Sequence, residues 1–259
     1  MTLRERIALW RLQRRLRQLQ NAYYDATEMD ESVIAEYFRT LEAARRLYLQ
    51  SLLPAGEGGR RPDEGRPSPG ASRHPLPVGE GHKIHLGSGD HRIAGWINID
   101  RDVMMQVDVV ADLTSEMPLR SGSVDLIHSE DFIEHIDQAA GELALRECHR
   151  VLRTGGVMRL LTPDLRALVE EIYLRRNPHH LRWCSAYLEA DDPCEALNMH
   201  MRMSGEHRFI YDEEHLTSLL REIGFDVRRV RYNWSTVPEL RFLDLRDFGL
   251  NLFLECVKR

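Results

Sequence analysis

The chain of 259 residues lacks the features that mark membrane-spanning and disulfide-stabilised proteins. It has no run of eighteen apolar residues, so no membrane-spanning helix is expected, and no stretch reads as a signal peptide. Cysteine is scarce, and the C-x-x-C spacing of a zinc site or redox motif is absent; the four cysteines are Cys148, Cys184, Cys194 and Cys256. We therefore expect a cytoplasmic protein with reduced thiols and no stable membrane insertion.

Lysine is nearly absent, and the overall charge is negative. The lysines are Lys83 and Lys258, and the formal net charge is −6, which gives no general attraction to nucleic acid. The C-terminal half also has no basic patch with interleaved aromatic residues. A nucleic-acid partner is accordingly not expected.

A glycine-rich turn follows the first predicted strand, but it lacks the third glycine of a dinucleotide fingerprint. Residues 83–90 read as an apolar strand and a turn built on Gly87 and Gly89, and a second strand ends at Asp100. Arg92 stands where G-x-G-x-x-G needs glycine, and few residues remain for a helix that could bind a pyrophosphate. A ribose-bearing cofactor without phosphate suits this turn, with Asp100 placed to accept hydrogen bonds from the ribose hydroxyls.

Strand and helix patterns alternate beyond this turn. An amphipathic helix is expected over residues 138–152, and further strands are expected over 107–113, 124–130, 157–161, 227–231 and 252–257. Such alternation predicts an α/β protein with a doubly wound, mostly parallel sheet.

Five ordered motifs resemble those of the class I S-adenosylmethionine-dependent methyltransferases, over about residues 82–259. The closest likeness is to the small-molecule, methyltransferase-11-like branch. The matching residues are Leu86-Gly87-Ser88-Gly89, Gly95-Trp96-Ile97-Asn98-Ile99-Asp100, Ala111-Asp112-Leu113, residues 129–135 and residues 150–156. This resemblance implies a seven-stranded Rossmann-like sheet whose last two strands pair antiparallel at the edge.

The resemblance also implies S-adenosyl-L-methionine as cofactor. The glycine turn would meet its methionine end, Asp100 would hold the ribose, and Asp112 would touch the adenine. The implied cofactor-binding set is Leu86, Gly87, Ser88, Gly89, Asp100, Asp112, Leu113 and Ser129. We predict an O-methyltransferase acting on a small-molecule or biosynthetic-intermediate acceptor. A catalytically silent scaffold and an RNA or protein methyltransferase are the alternatives.

Two histidines are candidates for removing the acceptor's proton. His135 follows the fourth strand, and His207 precedes a helix over 212–223; an imidazole with its ordinary pKa near 6.5 can deprotonate a hydroxyl at neutral pH. Asp131, Glu134 and His135 could instead be metal ligands, with His200 or His207 as a further one, and some RNA-end methyltransferases resemble that pattern. We predict catalysis without a metal.

The chain divides into three predicted parts. Residues 1–53 have the apolar periodicity of a helical hairpin, residues 54–81 form a Pro/Gly-rich flexible linker, and 82–259 form the methyltransferase domain. The hairpin could join copies into a homo-oligomer, dock a partner or pack on its own domain. Within the domain, residues 165–204 are expected to form a helical cap over the acceptor site.

Overall fold

The structure of the chain is a computed structural model. It describes residues 82–102, 104–105, 107–246 and 249–259, and positions 8, 11, 12, 14, 15, 18, 36, 39, 40, 43 and 44. The predicted helical arm over 1–53 lies mostly outside the described residues, and the predicted linker over 54–81 lies wholly outside them. Both stay predictions.

A seven-stranded sheet organises the described part of the chain, in the order β3-β2-β1-β4-β5-β7-β6. The strands from β1 to β5 run parallel to their neighbours, whereas β7 runs antiparallel to both β5 and β6. The predicted mostly parallel sheet with an antiparallel pair at one edge is therefore confirmed. The strands are β1 (His82–Leu86), β2 (Ile97–Asp100), β3 (Val109–Val110), β4 (Val124–Glu130), β5 (Leu152–Pro163), β6 (Phe225–Arg229) and β7 (Asn251–Lys258).

Helices follow β4, β5 and the predicted cap region. They are α1 (Gln138–Val151), α2 (Leu165–Leu168, continued by a π-helical turn at Val169–Leu174), α3 (Pro178–Leu188), α4 (Pro193–Arg202) and α5 (Glu213–Ile223). Aspartates begin several of them: Asp137, Asp192 and Asp212 each accept a hydrogen bond from a first-turn backbone N–H. Such N-caps satisfy donors that have no partner within the helix.

Two strand predictions were wrong in length. The third strand is two residues rather than 107–113, because Asp108 uses its carboxylate to accept from the backbone and side-chain amides of Asn98 before regular pairing begins. The fifth strand runs from Leu152 to Pro163 rather than over 157–161, since α1 ends at Val151 and the chain extends directly into the sheet. Residues 87–96 contain turns and no helix.

The main core lies on the sheet, and its central strands are almost wholly buried. β1 and β4 carry consecutive buried residues, which is typical of parallel strands covered on both faces. A second apolar cluster joins α3 and α4 to the π-helical turn through Ile172, Cys184 and Ala196. Within the described residues, none of the helices has the length and apolar character needed to span a membrane.

The charged side chain of Arg159, in β5, is buried in the core of the sheet. It is 0% exposed and pairs with Asp244, which is equally buried. Its guanidinium also donates to the backbone carbonyls of Arg231 and Trp234. Burial raises the pKa of the Asp244 carboxyl, but Arg159 and His128 outweigh that effect and hold the pKa below its ordinary value. The pair fixes the loop after β6 against the sheet.

Candidate active site

The glycine turn lies at the carboxyl end of β1 in a conformation that favours glycine. Gly87 and Gly89 have φ angles of 62° and 50°, in the left-handed region where other residues are strained. A Cβ on Gly87 would lie 2.7 Å from the Cβ of Phe132, whereas a Cβ on Gly89 would meet no atom within 4 Å. Gly87 thus allows close packing of the chain beyond β4, and Gly89 borders open space.

Asp100 at the end of β2 is tied to this turn. One carboxylate oxygen accepts from the Gly89 N–H at 2.9 Å, and the other accepts from the Asp102 N–H at 3.0 Å. The Ser88 N–H donates to the Ile99 carbonyl at 3.2 Å. Asp100 therefore orients the glycine turn as well as presenting a charge at the sheet edge, a second role that the sequence did not indicate.

Asp112 lies beyond the carboxyl end of β3, the neighbouring strand. It is exposed, and its carboxylate accepts from the backbone N–H and the hydroxyl of Thr114 at 2.9 and 2.7 Å. These hydrogen bonds lower the pKa of Asp112, so the group is ionised at neutral pH. Leu113 next to it is buried, with 3% of its surface exposed.

The structure brings the predicted cofactor-binding residues to one edge of the sheet. Leu86 pairs in register with Ile99 of β2 and with Ser129 of β4, so the ends of three strands meet at the turn. The hydroxyls of Ser88 and Ser129 are buried and have no hydrogen-bond partner among the described residues. Buried hydroxyls without partners are available to a polar ligand.

The predicted catalytic histidines face each other beyond β4, although 72 positions separate them in the chain. The ring centroids of His135 and His207 are 4.9 Å apart with their planes at 76°. Glu134 lies beside them, completely buried, and Thr162 donates to its Oε2 at 3.0 Å. Within the described residues, one side-chain donor atom from each of Glu134, His135 and His207 lies within 4.8 Å of the other two.

Backbone hydrogen bonds explain how the two histidines meet. His135 closes a short 3₁₀ turn, Ile133–His135, in which its N–H donates to the Phe132 carbonyl. The Glu134 carbonyl accepts from the N–H groups of Arg208 and Phe209 at 2.7 and 3.2 Å. That carbonyl thus fastens the segment following α4 to the 3₁₀ turn and sets His207 opposite His135.

Burial controls the protonation of this cluster. It lowers the pKa of His207, and the neighbouring His135 lowers it further, so the His207 imidazole is neutral at pH 7. Burial raises the pKa of the Glu134 carboxyl well above its ordinary value, and the charge of Asp131 adds to the effect. The backbone of His200 hydrogen-bonds the His207 side chain, while the His200 ring contacts Trp183. Burial, and then the neighbouring His207, lower the pKa of His200 to about 4.

Two residues at the site, Glu130 and Arg246, were missed by the sequence analysis. Glu130 ends β4 and accepts from the N–H groups of Leu245 and Arg246; burial, then Asp131 and Asp244, raise its pKa. The Arg246 guanidinium pairs with Asp131. The acids at 130 and 131 were a signal for such pairing, but their partners are 115 positions away along the chain, and no local pattern identifies them.

Comparison with known proteins gives one family match and several similar structures. Residues 94–160 match a family model described as a methyltransferase domain. No curated protein matches the chain. One similar structure is a Thermotoga maritima S-adenosylmethionine-dependent methyltransferase described as a possible histamine N-methyltransferase (20% identity, 87% of this chain and 96% of that chain, TM-score 0.43). Another, from Archaeoglobus fulgidus, is a methyltransferase with the same cofactor (15% identity, 70% and 87%, TM-score 0.44).

The family match begins between the glycine turn and β2 and ends within β5. This stretch resembles a methyltransferase domain, as the ordered motifs predicted, and S-adenosylmethionine is the methyl donor that domains of this family use.

Proposed function

We propose that this enzyme methylates a hydroxyl oxygen of a small-molecule acceptor in a biosynthetic reaction. His135 and His207 handle the acceptor's proton. The cofactor lies along the sheet edge formed by Leu86 to Gly89, Asp100, Asp112, Leu113 and Ser129. In this arrangement Asp100 receives the ribose hydroxyls and Asp112 receives the adenine.

The observation that carries the proposal is the facing pair of imidazoles, 4.9 Å apart between ring centroids. His135 of this pair follows β4, whose Ser129 is the register partner of Leu86 at the glycine turn. A hydroxyl is a poor nucleophile until it loses its proton, whereas a neutral amine needs no base. A neutral imidazole at this position supports oxygen as the methylated atom.

Bound S-adenosylmethionine supplies an electrophilic methyl group whose leaving group is a neutral thioether. As the acceptor oxygen forms its bond to the methyl carbon, its proton passes to the imidazole of His135 or His207. The electron pair of the carbon–sulfur bond remains on sulfur. Glu134 lies next to both rings, so its carboxylate offsets the positive charge of the imidazolium that forms.

A small acceptor is supported by the composition of the helices that precede His207. The segment that carries His207 follows α3 and α4, and their apolar cluster includes partly buried Met199, Met201 and Met203. Methionines adapt to irregular apolar ligands, and the net charge of −6 gives no attraction to RNA. The expectations that residues 165–204 cap the acceptor and that the enzyme is cytoplasmic belong to the same proposal.

Methyl-transfer assays test this function with pairs of acceptors that differ only in a hydroxyl or an amine. Formation of S-adenosylhomocysteine should require the hydroxyl. His135→Ala should lower turnover by roughly 10²–10⁴-fold with little change in S-adenosylmethionine affinity, while the exposed His215→Ala should behave like the parent. Equal transfer to the amines, or full activity of His135→Ala, would refute the assignment. A protein that binds the cofactor but methylates no member of either series would favour the scaffold alternative.

A further inference from the structure

The carboxylate of Glu134 is buried, and one of its two oxygens has no hydrogen-bond partner among the described residues. The residue is 0% exposed, and its Oε2 accepts from Thr162, but its Oε1 has no hydrogen-bond partner among the described residues. Leaving such a group unpaired carries a large desolvation cost. A cation placed at Oε1 would remove that cost.

The side chains beside the Glu134 carboxylate, His135 and His207, are of types that can bind a metal ion. The imidazoles of His135 and His207 each place a nitrogen within 4.8 Å of the Glu134 carboxylate and of each other. The donors of a tetrahedral ion bound at about 2.0–2.2 Å lie about 3.3–3.6 Å apart. Small side-chain rotations therefore bring the three donors onto a common ion.

We propose that Glu134, His135 and His207 bind a divalent transition-metal ion, with Zn²⁺ the best match. Two imidazoles and one carboxylate favour a borderline ion over Mg²⁺, which selects oxygen ligands. Three protein ligands also leave a coordination position open, as in catalytic rather than structural zinc sites. The sequence pattern had indicated catalysis without a metal, and the grouping of these three side chains in space favours a metal ion instead.

Neighbouring residues orient the ligands and exclude other donors. Thr162 fixes the second oxygen of Glu134, the kind of outer contact that holds a metal ligand in place. The Oδ1 of Asp131 is also buried and has no hydrogen-bond partner among the described residues. Its other carboxylate oxygen accepts from Arg246. Asp131 therefore adds negative potential near the proposed ion without being one of the three ligands. The sequence left His200 and His207 as alternative fourth donors, and the structure selects His207.

The catalytic role of the ion rests on the proposed function, whereas metal binding itself does not. An acceptor hydroxyl at the open position would lose its proton to solvent near neutral pH, as zinc-bound water does with a pKa of about 7. The acceptor oxygen then forms the bond to the methyl carbon, and the carbon–sulfur electron pair stays on sulfur. With the ion bound, His135 and His207 would serve as ligands and not as bases, so the ion would replace their role in accepting the acceptor's proton.

The experiment titrates metal into the chelator-treated full chain, without S-adenosylmethionine or acceptor. Calorimetry with Zn²⁺ should show one equivalent bound per chain, and Co²⁺ should give the visible absorption of a low-symmetry nitrogen and oxygen site. Mg²⁺ should bind at least a hundredfold more weakly. Glu134→Gln and His207→Ala should each weaken Zn²⁺ binding at least tenfold, and His215→Ala should keep the parent affinity as the matched control for histidine loss.

Absence of the proposed metal site and absence of the proposed hydroxyl methylation would give different experimental results. No stoichiometric Zn²⁺ or Co²⁺ binding by the parent would overturn the site, whatever the variants do. Parent affinity in a folded His207→Ala would do the same. If either variant unfolds, the parent titration and its Zn²⁺-dependent rise in Tm still decide the question. Stoichiometric binding in a protein inactive on hydroxyl acceptors keeps the site and refutes the proposed function, whereas full turnover by the metal-free parent refutes the catalytic role of the ion.

Discussion

Alanine substitutions at the two turn glycines should separate folding from cofactor binding. Both glycines have positive φ, and the left-handed conformation costs an alanine about 1–2 kcal/mol. At Gly89 that strain is the whole expected effect on stability, because an added Cβ meets no atom within 4 Å. At Gly87 the Cβ would lie 2.7 Å from Phe132, and such overpacking adds about 1–3 kcal/mol. The free energy of unfolding should therefore fall by about 1–2 kcal/mol for Gly89→Ala and about 2–5 kcal/mol for Gly87→Ala.

The affinity for S-adenosylmethionine should not change in parallel with the free energy of unfolding. The open side of Gly89 is the space that we assign to S-adenosylmethionine, so the methyl group of Gly89→Ala should clash with the ligand and weaken binding at least tenfold, about 1.4 kcal/mol. Gly122→Ala is the matched control: its φ is 68° and its added Cβ also meets nothing within 4 Å, but it lies before β4, at the opposite end of that strand from the site.

Urea unfolding and calorimetric titration of S-adenosylmethionine measure the two effects. Gly89→Ala and Gly122→Ala should lose similar stability, and the loss of affinity should be confined to Gly89→Ala. Parent affinity in a folded Gly89→Ala protein would refute the placement of the cofactor. An equal loss of affinity in both variants would show that backbone strain, rather than a clash with the ligand, controls binding.

Three further predictions concern the cofactor site, the buried ion pair and the N-terminal segment. Asp100→Asn should weaken S-adenosylmethionine binding by about 1.5–3 kcal/mol, measured by calorimetry, whereas Asp102→Asn should not; equal affinities would remove Asp100 from the ribose site. Arg159 holds the pKa of Asp244 below its ordinary value despite burial, so the stabilisation is present above that ordinary value and is lost as pH falls through the folded-state pKa. Asp244→Asn should cost about 3–5 kcal/mol at pH 7 and flatten the acid dependence of the unfolding free energy; an unchanged slope would contradict this. A truncated protein starting at Gly81 should bind S-adenosylmethionine like the parent but elute with fewer subunits, and an unchanged subunit number would separate the arm from assembly.

The glycine turn and the position of Asp100 could be predicted because their determinants are local. Glycines at 87 and 89 are the residues that tolerate the positive φ observed there. The carboxylate of Asp100 closes the second strand as its sequence pattern indicated. Each of these features depends on residues within a few positions, and the ordered spacing of the strands then brings them to one edge.

The acceptor side could be predicted only in part, because its geometry comes from contacts distant in sequence. His135 and His207 were both candidates, but their approach depends on the Glu134 carbonyl accepting from two N–H groups more than 70 positions away. The buried position of Arg159 in the core likewise depends on a residue distant in sequence. An arginine within a central strand contradicts the apolar pattern until Asp244, 85 positions later, supplies its counter-charge.

The buried polar groups of the Arg159–Asp244 pair and those of the histidine cluster differ in whether they have hydrogen-bond partners, and this difference bears on function. The Arg159–Asp244 pair is closed: the guanidinium donates to the carboxylate and to two backbone carbonyls. At the histidine cluster, the Oε1 of Glu134 and the Oδ1 of Asp131 lack partners among the described residues. A satisfied buried network stabilises a single arrangement, whereas unpaired buried oxygens keep a cost that a ligand can remove. The histidine cluster, rather than the ion pair in the sheet, is therefore where binding of an ion or an acceptor brings the larger gain.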